Sequence, residues 1–391
     1  MLGAGVALAL LALVGTLVQP IRVRLVAAAT TADALDLPVL RPFAAAFEVE
    51  RRSVAGVDGV LYEVGPSAPV VVLVPGAVPE GADDRRIVRL AEAVAGAGRT
   101  VFVPELQVYD EELDLADVER IVRVTEALAG PERGPAAIVG ISFGGSLGLL
   151  AAADDRLQDG LALVATFGAY MDLVGVLQAA TTGTALVGGE RITWQADPRA
   201  EQVVREQLVA QLPDERRGEV EATLEGEQRP GQLDAGSRAV YELLTNEDPA
   251  ATYALAESLP AELRDRLAAI SPVTVAHRID APVIAMHSTE DPAIPYAELL
   301  RLGESVDHAQ LVTLQRFDHV GLELDSPRSW GRAISDLRQV WRFTTTVLDP
   351  PTCDAHAHLP HPDGRLAKPS PTSVGAPPAS RAVFWWRSAT W

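Results

Sequence analysis

A serine stands in a setting suited to nucleophilic chemistry, within Gly140-Ile141-Ser142-Phe143-Gly144. The apolar run 136–139 before it predicts a buried strand, and the apolar run 147–153 after it predicts a helix. A serine on the sharp turn between a strand and a helix is the nucleophile-elbow pattern, G-x-S-x-G. Its glycines relieve crowding in a strained turn, although glycines also occur where backbones merely pack closely.

A nucleophilic serine requires an acid and a base, which in this pattern follow in the order serine, acid, histidine. Asp291 comes after the short predicted strand Pro282–His287, and His319 comes after the predicted strand Leu311–Leu314. Glu290 is an adjacent rival for the acid, and an aspartate before proline is also common in turns. Three more histidines lie before or inside predicted elements and are interpreted as structural: His277, His287 and His308.

The elements around these residues alternate between strand and helix patterns. Strands are predicted at 70–74, 100–104 and 161–164, and helices at 86–97 and 117–128. This alternation predicts an α/β fold with a doubly wound, mostly parallel sheet that is covered on both faces. In such a sheet the active site lies beyond the carboxyl ends of the strands, where all three candidate residues fall.

From about residue 55 to residue 347 the chain resembles the α/β-hydrolase fold family, on the elbow and on the order of the acid and the histidine after it. The resemblance implies that Ser142 is the nucleophile and that His319 is first the general base and then the general acid. It implies that Asp291 orients the imidazolium. It also implies that no metal and no organic cofactor is needed.

The same resemblance implies an oxyanion hole made of two backbone N–H groups. One belongs to Phe143, directly after the nucleophile, and Ala77 in the loop after strand 70–74 is the expected second donor. The family usually carries His-Gly where this chain has Pro75-Gly76, so the geometry of the hole departs from the pattern there. Many relatives likewise have His-Gly where this chain has His287-Ser288.

An insertion between residues 168 and 280 occupies the family's usual position for a helical cap or lid. Helices are predicted in it at 198–212, 213–225, 236–245 and 249–269. It either shapes the substrate pocket as a lid, which we favour, or merely covers the sheet edge. The small-residue segment 183–189 is expected near the path of acyl or leaving groups. Three apolar residues are candidates for the pocket or, more simply, for the core: Tyr170, Met171 and Trp194.

Composition excludes some classes of function. The net charge of −20 argues against nucleic-acid binding, because attraction to phosphates needs a basic face. With one cysteine, Cys353, the chain cannot form an intrachain disulfide. Length suits one large domain with an insertion.

The amino terminus, residues 1–24, is expected to form a membrane-anchor or signal-like helix, followed by a connecting segment at 25–54. Residues 2–18 are apolar and uncharged and would reach about 25 Å as a helix, close to the thickness of a hydrocarbon core. Arg22 and Arg24 follow the span and favour a cytoplasmic catalytic domain at the cell membrane. A cleaved signal and a soluble buried helix remain the alternatives, the protein then being secreted or cytoplasmic.

Residues 348–391 are rich in proline, serine and alanine and are interpreted as a disordered tail. The tail holds a His-rich set with Asp354, namely His356, His358 and His361. A chance cluster is the simpler interpretation, because no predicted scaffold fixes these side chains.

The leading function is a membrane-associated serine hydrolase that acts on a small-molecule ester or thioester through an acyl-enzyme. An acyltransferase would use the same triad, and fold alone does not choose between such activities. From other classes, a catalytically silent binding module and a metal-binding tail stay open.

Overall fold

The computed structural model describes residues 45–110, 115–315, 317–318, 321–322 and 330–350. Its strands are β1 (Glu48–Val54), β2 (Val57–Glu63), β3 (Val70–Val74), β4 (Thr100–Pro104), β5 (Ala136–Ile141), β6 (Leu161–Phe167), β7 (Thr184–Val187), β8 (Glu190–Thr193), β9 (Val283–Ser288), β10 (Gln310–Leu314), β11 (Phe317–Asp318) and β12 (Gly321–Leu322). Its helices are α1 (Arg85–Gly96), α2 (Leu115–Leu128), α3 (Phe143–Ala152), α4 (Leu173–Thr182), α5 (Pro198–Ala210), α6 (Asp214–Leu224), α7 (Ala235–Leu244), α8 (Thr252–Glu257), α9 (Ala261–Ala269), α10 (Ala297–Ser305) and α11 (Trp330–Leu348).

Eight strands form one sheet in the order β1-β2-β4-β3-β5-β6-β9-β10. β2 pairs antiparallel with β1 and β4, and the remaining pairings are parallel. Successive side chains of a strand point to opposite faces, so each face of this sheet carries its own apolar cluster. α2, α3 and α10 cover one face, while α1 and α11 cover the other. The predicted doubly wound, mostly parallel α/β fold is therefore confirmed.

The sheet begins earlier than residue 55. β1, which falls in the predicted connecting segment, forms its edge and pairs along its whole length with β2. Every residue of β1 is exposed except the half-buried Val54. A strand with neither face buried shows no alternation of apolar residues, which is why β1 could not be predicted from its sequence.

The insertion between β6 and β9 consists of α4, the hairpin β7–β8 and the helices α5 to α9. Its helices pack around an apolar core of their own, which includes Leu208, Val220 and Leu243. The prediction of a single helix over 249–269 is wrong, because α8 ends at Glu257 and α9 begins at Ala261. Pro260 stands at the N-cap of α9 and has no N–H to continue a preceding helix.

Buried charges tie the start of the cap to the body of the protein. Glu298, on α10, accepts hydrogen bonds of 2.8 Å from the backbone amides of Met171 and Asp172. The Tyr253 hydroxyl of α8 donates to Asp172 at 2.7 Å. Arg301 lies between the two carboxylates, 3.3 Å from Glu298 and 3.8 Å from Asp172. These contacts join α4 and α8 of the cap to α10 of the body.

Within the part of the chain that the structure describes, no helix is both long and apolar enough to cross a membrane. The expected amino-terminal anchor at 1–24 and the tail beyond residue 350 lie outside the described residues.

Candidate active site

Ser142 occupies the turn between β5 and α3. Its backbone has φ 52° and ψ −130°, a conformation that costs a non-glycine residue free energy and that often marks functional sites. Ser142 stands at the N-cap of α3, but its hydroxyl makes no cap hydrogen bond. The Oγ of this half-buried serine is therefore not used by its own helix.

A second serine one turn along α3 is held differently. Ser146 is fully buried, and its hydroxyl donates to the Tyr170 carbonyl at 2.8 Å and accepts from the Tyr170 amide at 3.0 Å. Its hydrogen-bonding capacity serves the junction of α3 with the chain after β6. Of these two serines, Ser142 is the one that lines a cavity.

The elbow requires glycine on both sides of Ser142. A Cβ on Gly140 would overlap the backbone of Gly145, and a Cβ on Gly144 would overlap the carbonyl oxygens of Val74 and Pro75. β5 and α3 thus approach each other, and α3 approaches the end of β3, more closely than any side chain permits.

The loop after β3 lies directly against the nucleophile. A Cβ on Gly76 would stand 2.9 Å from the Cβ and 3.4 Å from the Oγ of Ser142. Gly76 and Ala77 line the same cavity as Ser142 and Phe143. Phe143 begins α3, and the amino-terminal end of a helix favours negative charge. The surroundings of Ser142 therefore suit an oxyanion.

The loop after β9 holds Asp291 rigidly. Its Oδ1 accepts hydrogen bonds from the amides of Ala293 at 2.8 Å and Ile294 at 3.0 Å, and its side chain is buried. Both amide residues line the cavity that contains Ser142. The rival Glu290 is exposed. Asp291 is therefore shielded from solvent and held by backbone amides, whereas Glu290 is not shielded.

Two contacts of Asp291 were not predicted. The indole N–H of Trp194, just after β8, donates to the Asp291 carbonyl at 2.7 Å. The buried Nε2 of His287 lies 3.0 Å from the Ile294 carbonyl and 3.4 Å from Asp291 Oδ2. A carbonyl oxygen only accepts, so Nε2 carries the proton. Trp194 lies 97 residues before Asp291 and shares no motif with it, so the sequence offered no signal for that contact.

His319, the predicted base, lies outside the described residues. Two short segments near it are described: Phe317–Asp318 and Gly321–Leu322 pair as antiparallel strands after β10. Of the other histidines, His308 contacts the Ala281 carbonyl at 2.9 Å, which agrees with a structural role.

A cavity of about 1230 Å³ opens at Ser142. The cap contributes to its wall through α4, α5 and α9. Tyr170, Met171 and Trp194 are buried and do not line it, so the core interpretation of these residues is confirmed. Segment 183–189 forms part of the hairpin β7–β8 and does not line it either, contrary to its expected place near the path of substrate groups.

In the ranges that the structure describes, no group of three or more His, Cys, Asp or Glu side chains could hold a metal ion. The His-rich set of the tail, residues 354–361, falls outside those ranges.

One protein-family model matches the chain. The family model described as the alpha/beta hydrolase family matches residues 71–330. No curated protein matches the chain. Similar solved structures include the meta-cleavage product hydrolase CumD of Pseudomonas fluorescens IP01, with 21% identity, a TM-score of 0.40 and coverage of 75% of this chain and 96% of that one.

Two further structures are comparable. DphMB1 has 17% identity and a TM-score of 0.46, with 77% of this chain and 85% of that chain covered. Est1E of Butyrivibrio proteoclasticus has 17% identity and a TM-score of 0.42, with 75% and 98% covered. Because the family model spans well over half of the 391 residues, the chain belongs to the alpha/beta hydrolase family and is a hydrolase.

Proposed function

We propose that this hydrolase cleaves a carboxylic ester or thioester through an acyl-enzyme on Ser142. One observation supports this most directly. Ser142 has a strained backbone, its hydroxyl makes no hydrogen bond to its own helix, and it lines a large cavity next to Gly76 in the loop after β3. Strain of this kind persists only where the surroundings enforce it. The elbow glycines and the loop at Gly76 supply that enforcement.

In the proposed first step, the Ser142 oxygen attacks the carbonyl carbon while its proton passes to His319. The N–H groups of Phe143 and Ala77 donate hydrogen bonds to the carbonyl oxygen and stabilise the negative charge that develops on it. The tetrahedral intermediate collapses, the bond to the alcohol or thiol breaks, and His319 returns the proton to that leaving group. Asp291 orients His319 throughout.

In the second step, water attacks the acyl-enzyme, and His319 accepts its proton. The second tetrahedral intermediate then collapses and the bond between Ser142 and the acyl carbon breaks. His319 returns the proton to Ser142 as the carboxylic acid leaves. The chemistry consumes one water per ester. Neither step needs a metal or an organic cofactor.

Labelling by a fluorophosphonate probe tests this proposal. The wild-type protein should be labelled and should hydrolyse 4-nitrophenyl acetate, whereas Ser142→Ala should do neither. Ser146→Ala is the matched control on the same helix and should still be labelled, because Ser146 bonds only to the backbone of Tyr170. Absence of labelling in the wild type, or equal labelling of Ser142→Ala, would refute the proposal.

We propose the membrane association from residues 2–18 alone. The full chain should then need detergent for extraction from membranes, whereas a chain that starts near residue 45 should not. Extraction of the full chain into a detergent-free fraction would contradict an anchor.

A further inference from the structure

The cavity continues well beyond Ser142. Its volume of about 1230 Å³ exceeds the range of roughly 300–1,000 Å³ that is usual for sites of small ligands. One arm lies under the cap, against α4 and α5. The other, here called the sheet arm, runs over the face of the sheet between α1 and α11.

The sheet arm is built from apolar side chains. Val139, Met286 and Leu314, on β5, β9 and β10, form its floor. Its walls come from the two helices: Ile87, Leu90, Val94, Val340, Phe343 and Val347. Floor and walls belong to the apolar layer on one face of the sheet, so the arm is a space between the described side chains of that layer.

The placement of the two helices explains the gap. α1 packs over β4 and β2, towards one edge of the sheet, whereas α11 packs over β10 and β9, towards the other. The strands in the middle are left between them. Val94 is seven positions after Ile87, so the arm follows α1 for about 10 Å, roughly the extended length of an eight-carbon chain.

Charge is confined to the outer end of this arm. The charged lining residues of this arm lie at the first turns of α1 and just before it: Glu80, Asp83, Asp84, Arg85, Arg86 and Arg89. Further along α1 and on α11, the described lining residues carry no ionisable group, and Thr344 is the polar one among them. A charged or heavily hydroxylated chain would lose its hydration there without compensation, whereas each buried methylene gains free energy.

We infer that the substrate carries a linear hydrocarbon chain, which lies in the sheet arm while the ester or thioester carbonyl stands at Ser142. The inference rests on the proposed function and adds the class of substrate to it. It predicts selectivity for chain length, and it assigns that selectivity to α1 and α11 as well as to the cap.

Two substrate series test it on the full chain. One is 4-nitrophenyl esters from acetate to decanoate, and the other is acetate esters of alcohols from ethanol to decanol. In at least one series, kcat/KM should rise by about 100-fold towards the long chain, because several methylenes become buried. Fluorophosphonate labelling of Ser142 is measured in parallel.

Variants then locate the chain. Leu90→Trp should fill the sheet arm and lower kcat/KM for the preferred long ester by about 30-fold, so that the preference for this ester over 4-nitrophenyl acetate falls. Thr344→Phe should act in the same way from the α11 side. Val88→Trp is the matched control on α1, since Val88 does not line the cavity. Thermal unfolding identifies any variant that fails to fold.

The outcomes separate the two proposals. Normal labelling of Ser142 with no rise in either series would overturn the inference and leave the proposed function standing. A long-chain preference that survives in folded Leu90→Trp and Thr344→Phe would also overturn it, because the chain would then lie elsewhere. Absence of labelling in the wild type would instead refute the proposed function.

Discussion

Gly76 lies so close to Ser142 that a Cβ added at residue 76 would stand only 2.9 Å from the Cβ of the serine. The contact joins the loop after β3 to the elbow after β5. In the proposed mechanism, this contact sets the distance between the nucleophile and the Ala77 amide.

Gly76→Ala should therefore lower kcat/KM by roughly 10- to 100-fold, because the loop or the elbow must shift and small misplacements at a reacting centre are costly. Gly65→Ala is the control, since a Cβ there meets nothing within 4 Å. Ester hydrolysis and the unfolding temperature of both variants check this. Wild-type rates in Gly76→Ala would remove the loop from the catalytic geometry.

Asp291→Asn should lower kcat by about 10⁴-fold while the protein stays folded, because the amide no longer stabilises an imidazolium. Glu290→Gln, at the exposed neighbouring position, should leave kcat unchanged. Steady-state kinetics of the pair decide between the two acids. The opposite pattern would show that Glu290 is the orienting carboxylate.

Trp194→Phe should lower the free energy of unfolding by about 1–3 kcal/mol, because it leaves the buried Asp291 carbonyl without its indole donor. The rate constant kcat should fall more than KM rises, because loss of this hydrogen bond makes the position of Asp291 less well defined, whereas the cavity wall stays intact. Urea unfolding and kinetics measure the two effects. Unchanged kcat at reduced stability would make the contact structural only.

Glu298→Gln should cost about 3 kcal/mol of folding free energy, because it breaks a buried pair with Arg301. Burial raises the pKa of Glu298, and Arg301 opposes that shift. The exposed Glu304, on the same helix, supplies the control Glu304→Gln, which should be neutral. Equal midpoints of denaturant unfolding for the two variants would contradict this account of the cap attachment.

Stability should fall as the pH rises above about 10, and tyrosines should dominate the loss. Burial raises the pKa of Tyr62 to about 12, and burial also raises the pKa of Tyr170 and Tyr253. Unfolded tyrosine ionises near pH 10, so the folded state holds these protons more tightly. The stabilisation is complete below pH 10 and is lost as pH rises towards the folded pKa values.

The sequence makes this alkaline transition simple to assign, because Lys368 is its one lysine and arginine ionises higher still. Thermal unfolding between pH 9 and 12 should show the fall, and Tyr62→Phe should make it shallower. A Tyr62→Phe profile parallel to that of the wild type would exclude Tyr62 as a contributor.

Prediction from sequence succeeded where local pattern and tertiary structure agree. β3 and β4 have the predicted bounds because continuous apolar runs can be buried only as central strands. β1 escaped prediction because neither of its faces is buried. At the site, Ser142 carried a local motif, whereas the support of Asp291 by Trp194 spans 97 residues and depends on how the cap folds back.

The hydrogen bond from Trp194 to Asp291 bears on how such enzymes diversify. Exchange of the insertion for one from a relative would do more than reshape a pocket, because the donor that steadies the acid would leave with it. Grafted caps on this scaffold should therefore need an indole, or an equivalent donor, after their hairpin. In this chain, a new insertion would have to supply both the new substrate specificity and the hydrogen bond that supports Asp291.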